Sequence, residues 1–94
     1  MQILRRNLRY KAGEVDLLAR DSDGTIVLVE VKALSAPGAF DPSTKLGPMK
    51  LRKLSLLSRF VEAGFPDQNI RVDAVALYWE SGKAHITHYK NITS

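Results

Sequence analysis

The chain has no cysteine, which excludes disulfides and thiolate metal sites. Histidine is scarce. His85 and His88 are the only two, too few for a self-contained zinc centre of the usual kind. No apolar run is long enough to cross a bilayer, and MQILRRNLRY carries arginines where a secretory signal would carry its apolar core. These absences point to an intracellular protein.

What is present fits one small domain. The 94 residues are 45% hydrophobic and 26% charged, with room for a single core spanning 1–94. The net charge is +4 and the pI about 9.6. Its basic residues gather in two places, Arg5, Arg6, Arg9 and Lys11, then Lys45, Lys50, Arg52 and Lys53. Such runs are ordinarily a solvated surface; the functional alternative is an electrostatic footprint for nucleic acid.

Periodicity orders the elements. Gln2 to Tyr10 reads as a strand, and a turn at Lys11-Ala12-Gly13 leads to a second, EVDLLAR, from Glu14 to Arg20. The cluster Asp21-Ser22-Asp23-Gly24 turns the chain into a third, TIVLVEVKA, from Thr25 to Ala33. From Leu34 to Gly47 the composition of Ser, Pro, Gly and Thr predicts a long exposed, mobile loop. A helix follows, with Pro48 at its first position and Gly64 at its C-terminal cap. Its apolar arc is Leu54, Leu57, Phe60 and Val61, with Arg52, Ser55, Arg59 and Glu62 opposite. Lys50 falls near the centre of that arc, on the sheet-facing side of the helix start. IRVDAVALYW and Lys83 to Tyr89 are the last strands, and strand–helix–strand predicts a right-handed parallel crossover. The expected fold is α/β: a mixed five-stranded sheet of three antiparallel strands, a crossover helix and two more strands.

The third strand carries charge in an apolar row. Ile26, Leu28, Glu30 and Lys32 share one face, and Val27, Val29, Val31 and Ala33 the other. On the second strand Glu14 and Asp16 share a face. If the hairpin places Asp16 across from Glu30, the two carboxylates lie within reach of one ion. That requires an odd loop, such as Asp21 to Thr25, or a bulge at Gly24. Paired carboxylates repel unless a cation lies between them, and a hard divalent ion such as Mg²⁺ suits them. Lys32, on the same face, would orient water or stabilise developing negative charge, a combination suited to metal-assisted phosphodiester hydrolysis. The plain alternative is an exposed Glu30–Lys32 ion pair, worth at most about 1 kcal/mol.

These residues resemble a known family. ILRRNLRYKAGEVDLLARDSDGTIVLVEVKA is similar to the core of the YraN-like family, related to Holliday-junction resolvases and to the PD-(D/E)XK nucleases. The pattern of that superfamily is an aspartate followed by Glu/Asp-x-Lys on the next strand. Asp16 matches the aspartate, Glu30 the acid and Lys32 the lysine. PMKLRKL resembles the family's helix opening and puts Lys50 on its lysine. IRVDAVAL and HYKNI resemble the fourth strand and the closing segment.

The resemblance implies a restriction-endonuclease-like core, Mg²⁺ or Mn²⁺ as cofactor, a DNA phosphodiester substrate of branched or unusual structure, and a place in a prokaryotic cytoplasm or nucleoid. It implies Asp16, Glu30, Lys32 and Lys50 as catalytic residues, and Asp16, Glu30 and the Val31 carbonyl as metal ligands. Relatives begin with a helix that carries a further acid, whereas this chain starts at its first strand. Three expectations follow: Glu14 replaces the missing ligand, a second copy covers the exposed face as a homodimer, or the protein is a catalytically silent module that binds nucleic acid or a partner.

Arg5, Arg9 and Lys11 have one parity and are expected to track backbone phosphates, with Lys50 and Lys53 from the helix; the alternative is a basic edge that discourages strand pairing. Asp73 is expected to be structural, paired with Arg71 or a neighbour. His85 and His88, three apart on a strand, face opposite sides, which argues against a shared metal. Tyr78 and Trp79 are expected to pack.

Overall fold

A computed structural model describes residues 1–35 and 41–93. Five strands, β1 (Gln2–Tyr10), β2 (Gly13–Arg20), β3 (Ile26–Ala33), β4 (Ile70–Glu80) and β5 (Lys83–Tyr89), form one sheet in sequential order. β1, β2 and β3 are antiparallel, β3 and β4 parallel, and β4 and β5 antiparallel. The parallel pair is joined through α1 (Pro42–Lys45) and α2 (Gly47–Gly64), as such a pair requires.

The α2 sequence buries Leu54, Leu57 and Val61 against the sheet, the spacing of one helical stripe. They meet Val15, Leu18, Ile26, Leu28 and Val72. Burying a Val, Leu or Ile side chain is worth roughly 1.5–3 kcal/mol, so this one cluster supplies much of the driving force. Phe60, expected in the arc, is nearly half exposed. It lies one residue before Val61, at the stripe's edge, and its ring reaches Tyr10 at 6.0 Å between centroids.

Part of the predicted loop is helical. Asp41 and Pro42 start one turn closed by Lys45 N–H to Asp41 carbonyl at 2.8 Å, Pro42 presetting φ for a first helical position. Residues 36–40 lie outside the described residues.

Two breaks in strand alternation matter for the site. Val15 and Leu18, three apart, both belong to the cluster beneath α2, so the two-residue period is interrupted across Asp16 and Leu17. Opposite them on β1, Asn7 has φ +52°, a left-handed conformation that asparagine tolerates better than most residues.

Candidate functional site

The β2–β3 turn sets the geometry. Arg20 pairs with Ile26, leaving Asp21 to Thr25 as a five-residue loop. Asp21 N–H donates to the Thr25 carbonyl at 2.9 Å, and Asp23 Oδ1 accepts the Thr25 N–H at 2.9 Å. Gly24 takes φ +90°. This odd loop sets the register Leu18 to Leu28 and Leu17 to Val29, whose continuation brings Asp16 level with Glu30.

The backbone ladder gives way at that point to a side chain. Ile26 N–H donates to Asn69 and Leu34 N–H to Leu77, so even residues of β3 bond to β4. Odd residues therefore turn their backbone groups toward β2. Val31 N–H meets Asp16 Oδ2 at 2.9 Å, and the Val31 carbonyl turns toward the same strand.

Glu30 continues the row of Ile26 and Leu28, both fully buried. The crossover sets the start of α2 above the C-terminal end of β3, and Lys50 Nζ lies 3.3 Å from Glu30 Oε2. The Glu30 side chain is 13% exposed and that of Lys50 42%. Burial, and then the Asp16 carboxylate, hold the Glu30 carboxyl above its ordinary value, with the Lys50 ammonium opposing both. A carboxylate pressed upward by a like charge is a feature of functional sites as well as of structural networks.

Lys32 is exposed and lies two residues beyond Glu30 on the same face. Glu14 is not brought to the pair. Because Val15 faces α2, Glu14 turns to the other side and lies 3.9 Å from Arg9, its cross-strand partner. Among the described residues no three His, Cys, Asp or Glu gather where they would hold a metal.

The basic residues do not form the expected row. Arg5 stands opposite Leu18, a core position, whereas Arg9 stands opposite Glu14, one step from core Val15. The break at Asn7 therefore separates their faces. Lys11 is exposed in the β1–β2 turn. Lys53 lies across Gly13, where an added Cβ would come 2.6 Å from its Cε; Gly13 has φ +148°, and the missing side chain makes room for the lysine. Alongside, a groove of about 460 Å³ is lined by Met49, Arg52, Lys53, Leu56 and Arg59.

A second polar cluster lies on the opposite face. Asp73 is fully buried and accepts from Arg71 Nε at 2.8 Å, Arg71 Nη2 at 3.0 Å and Asn91 N–H at 2.9 Å, with His88 Nε2 at 2.7 Å. Arg71 also reaches Asp21 at 2.9 Å. Burial alone would raise the Asp73 carboxyl, but these hydrogen bonds outweigh it and hold it below its ordinary value. They tie β4, the end of β5 and the β2–β3 turn together. The Arg71 partner is legible in R-x-D on one strand; His88 depends on the β4–β5 register, Val75 opposite His88.

The model of the uncharacterised protein family UPF0102 matches residues 1–77. This chain belongs to UPF0102. A UPF0102 protein of Streptomyces griseus is 35% identical over 92 residues, covering 95% of this chain and 76% of the relative. One from Corynebacterium glutamicum is 34% identical over 92 residues, covering 96% and 75%. Among solved structures, the EndoMS-dsDNA2 complex matches with a TM-score of 0.55 and 28% identity. It covers 86% of the UPF0102 chain described here but 29% of its own chain, so the likeness is to less than a third of that protein. The expected α/β nuclease-like fold is what the sheet order and this neighbour show. Among the described residues no helix is long and apolar enough to cross a membrane.

Proposed function

We propose that this UPF0102 chain is a metal-dependent endonuclease-like protein that hydrolyses DNA phosphodiesters, branched DNA included, in a prokaryotic cytoplasm or nucleoid. The observation that carries the reading is the convergence of Asp16, Glu30 and Lys50 at one end of the sheet, with Val31 N–H fixing Asp16. The likeness to a chain solved with double-stranded DNA supports the substrate class.

The donor set fits a hard divalent ion. Asp16 has a second oxygen beyond the one held by Val31, Glu30 offers a carboxylate pressed upward by burial and then by its neighbour, and the Val31 carbonyl turns the same way. Oxygen donors of this kind take Mg²⁺ or Mn²⁺. When bound, such an ion polarises a phosphodiester oxygen and acidifies water. Lys32, solvent-facing beyond Glu30, orients the attacking water and stabilises charge on the phosphoryl oxygens. Lys50 holds Glu30 in place and contacts the scissile or a neighbouring phosphate. Arg5, Lys11 and Lys53 contribute sequence-independent phosphate contacts, whereas Arg9, turned to the other face beside Glu14, does not.

One observation favours a silent binding module instead. Lys50 already supplies Glu30 with a counter-charge, and among the described residues only two acids meet there. In either case a second copy of the chain covers the apolar sheet face opposite α2, where Trp79 is 69% and Ile86 67% exposed; a monomer by light scattering contradicts that part.

Mn²⁺ titration followed by electron paramagnetic resonance separates the two readings. The nuclease reading expects one ion per chain, lost in Asp16→Asn and in Glu30→Gln. Salt-dependent DNA retention with no bound ion supports the binding module.

A further inference from the structure

Tyr78 and His85 are direct cross-strand partners, and their rings lie flat on one another, 4.8 Å between centroids and 5° between planes. We infer that this stacked pair is a docking platform for an unpaired nucleobase of the strand whose backbone passes Glu30 and Lys32. The inference rests on the nucleic-acid reading above and names the substrate feature that reading leaves open, a single-stranded segment beside the cut.

Register places the rings on the same face as the acids. Glu30 is level with Ala74 and Lys32 with Ala76 on β4. Tyr78 is two residues further on the same strand, so it continues that row. Four residues of strand beyond the level of Glu30 is about 13 Å, a few nucleotides of a strand with a stacked rise of about 3.4 Å. The rings are therefore within reach of a chain held at Glu30, yet too far to take part in chemistry there.

Position and charge decide what the rings accept. β5 is the edge of the sheet, so among the described residues no strand covers the side of His85 that faces away from Tyr78, and the His85 side chain is 44% exposed. Glu80 Oε2 lies 4.0 Å from His85 Nε2 and Lys83 is level with Glu80. Glu80 and Lys83 offset one another at the tip, which leaves the flat outer face of the His85 ring for a base rather than a phosphate. Base–aromatic stacking tolerates any base, which suits recognition of an opened strand rather than a sequence. Away from its ends a duplex buries its base faces in its own stack and leaves none for the platform.

The test uses two DNAs of equal length, one fully paired and one ending in a short single-stranded flap that carries 2-aminopurine, with Ca²⁺ in place of Mg²⁺ to prevent turnover. The wild type and Tyr78→Phe are expected to alter 2-aminopurine emission and to hold the flap DNA more tightly than the duplex. Tyr78→Ala and His85→Ala should each weaken flap binding by about tenfold and abolish the emission change, with duplex affinity unchanged. The platform is overturned if either alanine variant, folded by circular dichroism, keeps the wild-type flap preference. Equal loss on both DNAs overturns it too, because it marks a general structural role. Failure of the wild type to bind either DNA removes the underlying nucleic-acid reading, a result distinct from duplex binding without flap preference.

Discussion

Asp16 Oδ2 accepts the Val31 N–H at 2.9 Å, so one carboxylate both ends the β2–β3 ladder and faces Glu30. This double duty separates two substitutions. Asp16→Asn retains an amide oxygen for Val31 but loses the charge. Its stability is expected within about 1 kcal/mol of wild type, with cleavage down about a hundredfold or more. Asp16→Ala leaves a backbone donor without its acceptor and is expected to cost a further 1–3 kcal/mol or so. Urea melts alongside cleavage rates distinguish them.

The Glu30 carboxyl titrates above its ordinary value of 4.5. Between that value and the raised one the folded protein holds more protons than the unfolded chain, so this group's contribution makes stability fall as pH rises. The cost is complete above the raised value. Glu30→Gln is therefore expected to be more stable than wild type at neutral pH without metal, by about 0.5–2 kcal/mol, while losing metal affinity. In the wild type, metal affinity should rise with pH across the same window, with proton release on binding. Calorimetry in two buffers of different ionisation enthalpy measures that release.

Lys50 faces both Glu30 and solvent. As a phosphate contact, it should lower the slope of log affinity against log salt by about 1 when changed to methionine, equally for all DNA sequences. Its half-exposed pair with Glu30 contributes at most about 1 kcal/mol to stability, so the melting temperature should change little. Anisotropy titrations at several salt concentrations measure the slope.

Asp73 is the structural counterpart of the site acids. Asp73→Ala removes the acceptor of Arg71 Nε and of the Asn91 N–H while leaving Arg71 its contact with Asp21, and a loss of about 1–3 kcal/mol is expected, without a selective effect on metal binding. Because its folded value lies below the ordinary 3.8, its contribution is present in full above 3.8 and is lost as pH falls through the lower value. The acid limb of a stability–pH curve should flatten in the variant.

The level placement of Asp16 and Glu30 was legible once the turn is read as the five residues Asp21 to Thr25, because that odd loop sets Leu17 against Val29 and so brings Asp16 level with Glu30. Lys50 was legible from its place on the helical wheel and from the crossover. Glu14 was misplaced because alternation breaks across Asp16 and Leu17, where a side chain replaces a backbone partner, and no composition signal marks such a break. The left-handed Asn7 opposite separates Arg5 from Arg9 in the same way. The turn at Pro42–Lys45 was hidden in a stretch whose composition favours loops. His88 on Asp73 and His85 on Tyr78 depend on the β4–β5 register, which the Ser81-Gly82 turn sets only once its conformation is known.

We propose that Asp16 and Glu30 together hold the ion for cutting DNA. This is tested most directly by incubating the protein with a labelled four-way junction and the matching linear duplex, in Mn²⁺ and in EDTA, with Glu30→Ala alongside. Cleavage is expected in Mn²⁺ alone, faster on the junction, with none by Glu30→Ala. Cleavage that persists in EDTA or in Glu30→Ala contradicts it, as does junction DNA that is bound and left intact in Mn²⁺.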